Sequence, residues 1–529
     1  IELQGLIELQ AVPREGLHTL YITPLKALAL DIARNLTGPI AEMRLDISVA
    51  LRTGDTSATV RQHQRAALPN ILLTTPESLE LLLAAPDAAE KFSGLSSIVV
   101  DELHALAPTK RGDQLALCLA RLATLAPRAR RIGLSATAAD PDGLRAWIAP
   151  DGQAASVDLL TAPPGAPPEI GLLLPEADLP WSGHMGLAAA GAILARIRAA
   201  GMTIVFVNTR AQAELLFQEL WRRNAETLPI ALHHGSLEPG QRRKVEAAMA
   251  EGRLRAVVAT ASLDLGIDWG GVDQVIQLGA PKGVSRLLQR VGRANHRMDE
   301  PSRALLVPAN RFEVLECEAA RRAVAAGELD GEPPRTGGLD VLAQHILGVA
   351  CAGPFRPDDL YAEVRRAAPY AALSRQDFDD VVEFVATGGY ALSAYERYRK
   401  LFRDSEGVMH LTSGRLARQW RMNVGTIVEE PMIKVRLLGR GGGVLGEVEE
   451  NFVNGLARGD TFLFAGRLLA FVGLHETVAE AVAAHGNEPR VPAYAGARMP
   501  LSTHLAEGVR ALLADPGAWA AMPEAVREW

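Results

Sequence analysis

Cysteine is scarce in this chain. The 529 residues contain three, Cys118, Cys317 and Cys351, which are far apart and form no CxxC pair or other ligand-like spacing. An odd number of scattered cysteines argues against a disulfide framework and against a zinc site. The cysteines therefore indicate buried thiols in a reducing compartment, and we expect a cytoplasmic protein.

Long apolar runs and an excess of positive charge are also lacking. The nearest approach to a membrane span, 186–197, contains Arg196 and is followed by Arg198, so no run reaches the roughly 18 residues that a spanning helix needs. The formal net charge is −7, so the chain as a whole is not a basic nucleic-acid binder. Any nucleic-acid site must therefore be a local groove, and no membrane partner is expected.

The sequence does contain a repeated alternation of short apolar runs with helix-like segments. The strand-like runs are 19–23, 71–75, 98–100 and 131–135, then, after a proline-rich stretch at 161–168, 203–207, 230–233, 256–260 and 274–278. Such alternation predicts parallel sheets with helices on both faces. We therefore expect an α/β protein with two tandem parallel-sheet domains, at 1–165 and 166–330.

Two acids and a histidine follow one of these runs. The apolar segment 96–100 ends in Asp101, Glu102, Leu103 and His104, at the edge where open parallel sheets place their ligands. In nucleotidases an aspartate at this position helps to hold Mg²⁺ on the phosphates, and a second acid can orient the attacking water. The alternative is an ordinary strand-to-helix turn with acids at a helix start.

The pattern changes beyond residue 330. Three helical segments and a hairpin predict a winged helix at 331–420, and short alternating strands predict a small β-barrel-like module at 421–500. A helical region begins at 501–529 and is expected to be truncated. The third winged-helix helix opens with Ser374 in a capping box, and Asp379 and Asp380 follow. Because these acids would repel phosphates, we expect this helix to be structural and not to read a groove.

A glycine-rich segment at 441–446 matches GxGxxG after a strand. The residues that follow continue as strand or loop, so no helix N-terminus is offered to a pyrophosphate. We interpret the segment as a mobile turn and not as a dinucleotide site.

Seven short segments resemble, in order, the motifs of superfamily-2 DExH helicases of the Lhr type, and in particular the bacterial ligase-associated DExH helicases. The segments are 23–29, 74–77, 101–104, 135–137, 206–210, 259–268 and 289–293. The resemblance runs over nearly the whole chain, and it implies that the two parallel-sheet domains are RecA-like. Any one motif alone would be weak, whereas seven in one order are specific.

The resemblance implies a role for each residue of an ATP site. Asp101 holds Mg²⁺ and Glu102 acts as the base, while Gln289, Arg290 and Arg293 serve the γ-phosphate and its developing charge. Gly266 and Asp268 bind the nucleotide. His104, Ser135 and Thr137 couple this site to the nucleic-acid track. The alternatives are a solvated basic helix face for the arginines and a structural role for the histidine.

A translocase must grip the phosphates of its strand without reading sequence, so hydroxyls, amides and a few cations are expected along the track. The family-matched candidates are Thr23, Lys26, Thr75, Arg210, Gly235, Ser236 and Thr260. Helix capping alone would equally explain Thr75. Tyr494 matches a loop aromatic thought to stack on the tracked strand, and ordinary burial is its alternative.

The P-loop of the family, GxxxxGK[ST], has no match, because no lysine follows a glycine anywhere in the chain. In relatives it lies just before a helix resembling residues 1–10, so we expect this sequence to begin downstream of it and to be inactive in ATP hydrolysis by itself. A version that carries this segment is called the P-loop-bearing form below.

The resulting hypothesis is an ATP- and Mg²⁺-dependent DNA helicase, or 3′-to-5′ single-strand DNA translocase, with a part in DNA repair. Its expected partners are single-stranded DNA or an RNA:DNA hybrid, and by resemblance a DNA ligase and a repair nuclease. The alternative within enzymes is an RNA or RNA:DNA helicase, since nothing in the sequence shows whether 2′-hydroxyls are contacted. An ATP-independent nucleic-acid-binding pseudo-helicase is the alternative of another class.

Overall fold

The computed structural model describes residues 16–162, 165–175, 179–183, 185–264, 271–295, 300–426, 431–439, 442–486, 489–494, 500–522 and 524–528. The chain divides into two compact units, each built from two separate segments. One unit comprises 1–161 and 331–427, and the other comprises 162–330 and 428–529. The segment 1–10, expected to be helical, lies outside the described residues.

The first unit contains a five-stranded parallel sheet in the order β2-β3-β1-β4-β5. The strands are β1 (Thr19–Ile22), β2 (Val49–Arg52), β3 (Ile71–Thr74), β4 (Ser97–Val100) and β5 (Arg130–Gly133). The helices are α1 (Lys26–Glu42), α2 (Ala58–Ala66), α3 (Pro76–Leu83), α4 (Ala88–Phe92), α5 (Leu103–Leu106), α6 (Lys110–Leu125) and α7 (Pro141–Ile148). β1, β3 and β4 are buried throughout, and accordingly three of the four residues in each are apolar.

The second unit contains a six-stranded parallel sheet in the order β6-β11-β10-β7-β9-β8. The strands are β6 (Glu169–Leu172), β7 (Met202–Val207), β8 (Ile230–His233), β9 (Ala256–Ala259), β10 (Val272–Leu278) and β11 (Arg303–Val307). The helices are α8 (Ala190–Ala199), α9 (Arg210–Arg223), α10 (Pro239–Ala250), α11 (Val284–Val291) and α12 (Arg311–Ala325). The predicted tandem parallel sheets are confirmed.

The winged helix belongs to the first unit. It consists of α13 (Leu339–Ala352), α14 (Pro357–Val364), α15 (Arg375–Thr387), the hairpin β12 (Leu401–Arg403) and β13 (Met409–Leu411), and α16 (Gly414–Met422). Ser374 caps α15 as expected, because its Oγ accepts a hydrogen bond from the backbone N–H of Asp377. The domain packs on α6, where Arg121 Nη1 lies 3.2 Å from a Glu363 carboxylate oxygen and Asp113 accepts the N–H of Gly338 at 3.1 Å.

A curled five-stranded mixed sheet completes the second unit, in the order β15-β14-β18-β17-β16. Its strands are β14 (Met432–Leu437), β15 (Gly443–Glu449), β16 (Thr461–Phe464), β17 (Arg467–His475) and β18 (Val478–Ala483), with α17 (Glu450–Asn454) between β15 and β16. The predicted barrel-like module is confirmed. The chain then forms α18 (Thr503–Ala514), α19 (Pro516–Trp519) and α20 (Glu524–Arg527).

The prediction of a mobile turn at 441–446 is wrong for residues 443–446, and residue 441 lies outside the described residues. Gly443–Glu449 is strand β15, paired with β14. Gly446 has a φ of +152°, and a Cβ there would lie 2.0 Å from the carbonyl oxygen of Ser236. The glycine is therefore required by the close approach of two backbones and not by a turn. Strand β15 continues through Glu449 after the motif, as expected, whereas Glu450, which was expected in a strand or loop, begins the short helix α17.

No described helix combines the length and apolar character that a membrane span requires. All three cysteines are buried free thiols.

Candidate functional site

The acidic turn after β4 holds Asp101 and Glu102 at the carboxyl edge of the first sheet. The Asp101 carboxylate accepts hydrogen bonds from the backbone N–H of Glu102 (2.9 Å) and from Tyr21 Oη (3.3 Å). Burial raises the pKa of Asp101, although both hydrogen bonds act to lower it. Glu102 adopts the left-handed conformation, with φ 49° and ψ 46°, which is costly for a residue with a side chain. The turn thus fixes two adjacent carboxylates where parallel sheets bind ligands.

A series of polar contacts leads from Glu102 to the loop after β5. Glu102 Oε2 lies 3.6 Å from His104 Nε2, and His104 Nδ1 lies 2.9 Å from Ser135 Oγ. Ser135 Oγ donates in turn to the carbonyl oxygen of Thr137 at 3.0 Å. Burial lowers the pKa of His104, which favours a neutral ring with a single N–H, and this N–H can be donated either to Ser135 Oγ or to the Glu102 carboxylate. The structure therefore places His104 beside the proposed base and connects Ser135 and the Thr137 backbone to it through His104.

The predicted track residues of the first unit lie on the loops after β1 and β3. Thr23 is fully buried and its hydroxyl donates to the carbonyl oxygen of Leu25 at 2.8 Å. Thr75 is the N-cap residue of α3, and its hydroxyl contacts Ser78 Oγ at 3.4 Å. Lys26 is exposed and pairs with Asp55 at 2.7 Å. Of the three, Lys26 has the most accessible side chain. Its ion pair with Asp55 is exposed and therefore weak, so the ammonium group can leave Asp55 for a phosphate.

Arg111, which the sequence analysis missed, ties two of these loops together. Its Nε and Nη2 donate to the Glu77 carboxylate (2.6 and 3.2 Å), and its Nη1 donates to the carbonyl oxygen of Pro24 (2.8 Å). These bonds lower the pKa of Glu77, against the effect of its burial. Arg111 is thus a positioning residue for both motif loops. No local pattern marks it, because its partners are distant in sequence.

The predicted track residues of the second unit lie together after β7, β8 and β9. Arg210 Nη1 donates to Ser236 Oγ at 2.8 Å, and a Cβ on Gly235 would lie 3.7 Å from Arg210 Nη2. Thr260 follows β9, and its N–H is bonded to the carbonyl oxygen of His233 at the end of the neighbouring strand. Since carboxyl ends of parallel strands share one edge, these motifs form one surface.

Tyr494 lies beside this surface and is half-buried. Its ring packs against the core of the curled sheet, and the Arg210 guanidinium lies over the ring, 4.7 Å from its centroid. Burial also raises the pKa of its hydroxyl. Because one face of the ring is covered, the structure gives weight to the alternative of ordinary burial. The stacking of this ring on a base stays a prediction.

We expect Tyr494→Ala to lower the melting temperature of the chain and Tyr494→Phe to leave it nearly unchanged. A half-buried ring is worth about 2 kcal/mol of stability, below the 3–5 kcal/mol of a fully buried aromatic. Unwinding and strand-stimulated ATP turnover of the P-loop-bearing form are measured on the same variants. If Tyr494→Ala loses unwinding while the melting temperature and ATP turnover survive, Tyr494 grips a base and is not a core residue.

A second feature absent from the sequence analysis attaches the curled sheet to the second parallel sheet. The buried Glu214 carboxylate on α9 accepts the backbone N–H groups of Ala465 (2.7 Å) and Gly466 (2.8 Å), in the β16–β17 turn. The same carboxylate lies 3.0 Å from His234 Nε2. Close to this point, the Glu447 N–H donates to the carbonyl oxygen of Ser236 at 2.9 Å. The module is therefore held against the loop that carries Ser236.

Arg290 on α11 is buried, with 2% of its surface exposed. Its Nε and Nη2 donate to the two oxygens of Asp264 (2.8 and 3.1 Å), its Nη1 donates to Gln277, and it lies over the Phe206 ring. The alternative of a solvated basic helix face is excluded for this residue. Its donors are used within the unit, so the geometry favours a positioning role over direct contact with a phosphate.

Gln289 and Arg293 lie on and just after α11 and are half-buried. The backbone N–H of Arg293 bonds to the carbonyl oxygen of Arg290, which places Arg293 about one turn beyond the buried ion pair. Their roles at the γ-phosphate stay predictions. Gly266 and Asp268, predicted to bind the nucleotide, lie outside the described residues. Among the residues that are described, no group of three or more His, Cys, Asp or Glu side chains forms a metal cluster.

Three protein families match consecutive parts of the chain. DEAD/DEAH box helicase matches residues 3–143, helicase conserved C-terminal domain matches 188–298, and large helicase-related protein, winged helix domain, matches 322–491. The chain is 35% identical to ATP-dependent helicase Lhr-Core of Methanothermobacter thermautotrophicus, over 93% of the chain and 59% of that protein. It is 34% identical to Lhr helicase/uracil glycosylase of Escherichia coli, over 74% of the chain and 29% of that protein.

Solved structures give the same result. The structure of Mycobacterium smegmatis helicase Lhr bound to ssDNA and AMP-PNP matches with a TM-score of 0.71 and 36% identity, over 81% of this chain and 56% of that one. The DUF1998 helicase MrfA bound to DNA matches with a TM-score of 0.72 at 22% identity, which supports the fold alone. The relatives that match nearly all of this chain are longer than it is, and the chain spans about 60% of their length.

Proposed function

Because the chain belongs to the Lhr-type helicase family, we propose that it is the core of an ATP-dependent helicase that moves along single-stranded DNA. The observation that carries this proposal is the contact series from Glu102 through His104 to Ser135. It connects the acid that would act in hydrolysis with a second loop of the same sheet. A hydrolytic site and a strand-binding surface need such a connection if turnover is to depend on the strand.

In the proposed reaction Glu102 accepts a proton from the water that attacks the γ-phosphorus, the bond from that phosphorus to the β–γ bridging oxygen breaks, and ADP leaves. Asp101 would hold Mg²⁺. The residues fit this ion, because Mg²⁺ takes one or two carboxylates together with phosphate oxygens and water. When bound, Mg²⁺ neutralises charge on the phosphates.

Arg293 and Gln289 are proposed to act on the γ-phosphate and its attacking water, with Arg290 as the residue that fixes their helix through Asp264. Gly266 and Asp268 are proposed to contact the nucleotide, in accordance with the resemblance. This division of roles separates one buried arginine, which serves stability, from one half-buried arginine, which serves catalysis.

The strand is proposed to contact Thr23, Lys26 and Thr75 in the first unit, and Arg210, Gly235, Ser236 and Thr260 in the second. The listed side chains are hydroxyls and cations, which suit phosphates and carry no base code. DNA is favoured over RNA because the related mycobacterial helicase was solved with ssDNA. Movement from 3′ to 5′, a part in DNA repair, and a ligase or nuclease partner rest on the family resemblance alone.

The test is the ATP hydrolysis rate of the P-loop-bearing form with poly(dT), with poly(U) and without polymer. We expect poly(dT) to stimulate turnover strongly and the 529-residue chain alone to show none, because the acids cannot fix a triphosphate without the P-loop. Equal stimulation by poly(U), with unwinding of RNA:DNA hybrids, would favour the RNA or RNA:DNA helicase. Strand binding by the P-loop-bearing form without any ATP hydrolysis would favour the ATP-independent pseudo-helicase.

A further inference from the structure

The segment from Tyr390 to Arg403 exposes an unusual number of aromatic side chains. Tyr390 is 97% exposed, Tyr395 54%, Phe402 49% and Tyr398 37%, although aromatic residues make up 5% of the chain. These four rings, together with Arg397, Arg399, Lys400 and Arg403, are called the wing cluster. All eight residues lie in the winged helix, on the hairpin or on the loop that leads into it.

The alternation of side chains along strand β12 directs one ring of the cluster away from the core. Leu401 and Met409 are buried at 2% and 3%, and they fix the inner face of the β12–β13 pair on the core. Phe402 therefore points to the opposite face, as strand geometry requires. There it stacks on His410, with ring centroids 5.2 Å apart and planes inclined by 15°. The exposure of Phe402 is thus built into the hairpin and is not a fraying end.

Arginine also orders the rings before the hairpin. The Arg397 guanidinium lies 5.9 Å from the Tyr395 ring centroid and 4.7 Å from that of Tyr398, and it donates to Tyr398 Oη at 2.8 Å. The two rings meet edge to face at 6.1 Å. Cation and rings form one surface that can offer a base a stacking platform and a phosphate a positive charge.

The charge of the wing cluster is predominantly positive. Between residues 390 and 403 the sequence has four basic residues and one acid, Glu396. Within the described part of the chain, none of the four basic side chains forms an ion pair with a carboxylate. The acids at the hairpin tip are already engaged, since Asp404 pairs with His410 (2.7 Å) and Glu406 lies 3.8 Å from Arg356. The sign of the free charge therefore selects an anionic partner.

The recognition helix of the same domain has the opposite character. α15 begins with Asp377, Asp379 and Asp380 in its first two turns, and Arg375 is held between Asp358 (2.5 Å) and Asp379 (2.8 Å). An approaching phosphate would meet carboxylates on this helix and unpaired cations on the wing. The wing, and not the helix, is the face of this domain that fits a nucleic acid.

We propose that the wing cluster is a second binding site for single-stranded nucleic acid, separate from the track residues. The exposed rings stack on unpaired bases, and Arg399, Lys400 and Arg403 contact phosphates. Stacking tolerates every base, so the site shows no sequence preference. The proposal deepens the proposed function by adding a strand contact, but binding at the wing needs neither ATP nor the P-loop.

The first measurement is the affinity of the 529-residue chain for fluorescein-labelled dT20 over a range of salt concentrations. Replacing Arg399, Lys400 and Arg403 with glutamine should reduce the slope of log K against log salt by about 2, since each phosphate contact on a single strand contributes about 0.7. Tyr390→Ala combined with Tyr395→Ala should weaken binding about tenfold with the slope unchanged, because stacking releases no counterions. These side chains are exposed, so the fold should tolerate the changes.

Matched controls use similar side chains elsewhere. Trp221 is 53% exposed and stacked on Phe217, and Arg222 and Arg223 are exposed and paired with Glu219. Trp221→Ala and the double variant Arg222→Gln with Arg223→Gln should leave both the affinity and the slope unchanged. The double variant Asp379→Asn with Asp380→Asn should not alter sequence preference. A base-specific footprint of this variant would show that α15, and not the wing, contacts the nucleic acid.

Crosslinking then locates the contact. Irradiation with 5-iodouracil-substituted dT20 should give adducts within 390–403 as well as on track residues, and the wing variants should lose the first set only. Adducts confined to the track, with unchanged slopes, would overturn the proposal. If the wing binds duplex DNA more tightly than dT20, the assignment to single strands is wrong. If the chain self-associates and the wing variants do not, the wing cluster is a contact between copies of the chain. Adducts at the wing without strand-stimulated turnover in the P-loop-bearing form would reject the proposed function alone.

Discussion

Replacing Glu102 with glutamine in the P-loop-bearing form is expected to lower ATP hydrolysis by about 10²–10⁴-fold, while ATP and strand binding persist. The change removes the proton acceptor but preserves the size of the side chain, and general-base catalysis is worth about that factor. The left-handed turn and the Asp101 hydrogen bond to the Glu102 N–H involve the backbone and remain possible. Steady-state turnover, together with the affinity for dT20, measures the effect.

Glu90→Gln is the matched control, because Glu90 is an exposed acid on α4 of the same unit. It should leave turnover unchanged. Turnover retained by Glu102→Gln would show that another group is the base. Equal losses of turnover and of strand affinity would instead indicate a distorted turn, since the base itself contributes nothing to strand binding.

Arg290→Ala is expected to destabilise the chain by about 3 kcal/mol, the lower end of the cost of removing one partner of a buried ion pair, because Arg286 stays 3.8 Å from the Asp264 carboxylate. Asp264 is 4% exposed and would lose two charge-assisted hydrogen bonds. Arg293→Ala is expected to lower stability less than Arg290→Ala does and to abolish most ATP turnover, with strand affinity in the absence of nucleotide unaltered. The melting temperature and the ATP turnover are measured for both variants. Arg290→Ala should have the larger effect on the melting temperature.

The double variant Asp264→Ala with Arg290→Ala supplies the control. If the two residues act as a pair, its destabilisation is smaller than the sum of the single effects. Should Arg290→Ala keep the wild-type melting temperature and lose turnover as Arg293→Ala does, Arg290 is a phosphate contact and the positioning role is wrong.

The sequence predicted what local patterns encode. Apolar runs marked the buried strands, Ser374 marked a helix start, and the acids after β4 marked the edge of the first sheet, because each of these depends on neighbours along the chain. The wing hairpin was also predicted, and its strands lie at 401–403 and 409–411.

Contacts between distant residues were not predictable in this way. Arg111 bonds to Glu77 and Pro24, and Glu214 bonds to the 465–466 turn, yet neither residue differs locally from any other charged side chain on a helix. The glycine run at 441–446 was misjudged for a related reason. Gly446 is needed because the Ser236 backbone approaches it, and that approach exists only in the folded unit.

The packing of the winged helix on α6 has a consequence for synthesis of the protein. The first unit is built from 1–161 and 331–427, so about 170 residues of the second unit are made between its two halves. At about 5–20 residues per second, that interval lasts roughly 10–30 s. Throughout it, the side of α6 that later meets Gly338 and Glu363 has no partner. A nascent chain of this topology exposes an incomplete first unit to chaperones and proteases while the ribosome synthesises the first segment of the second unit.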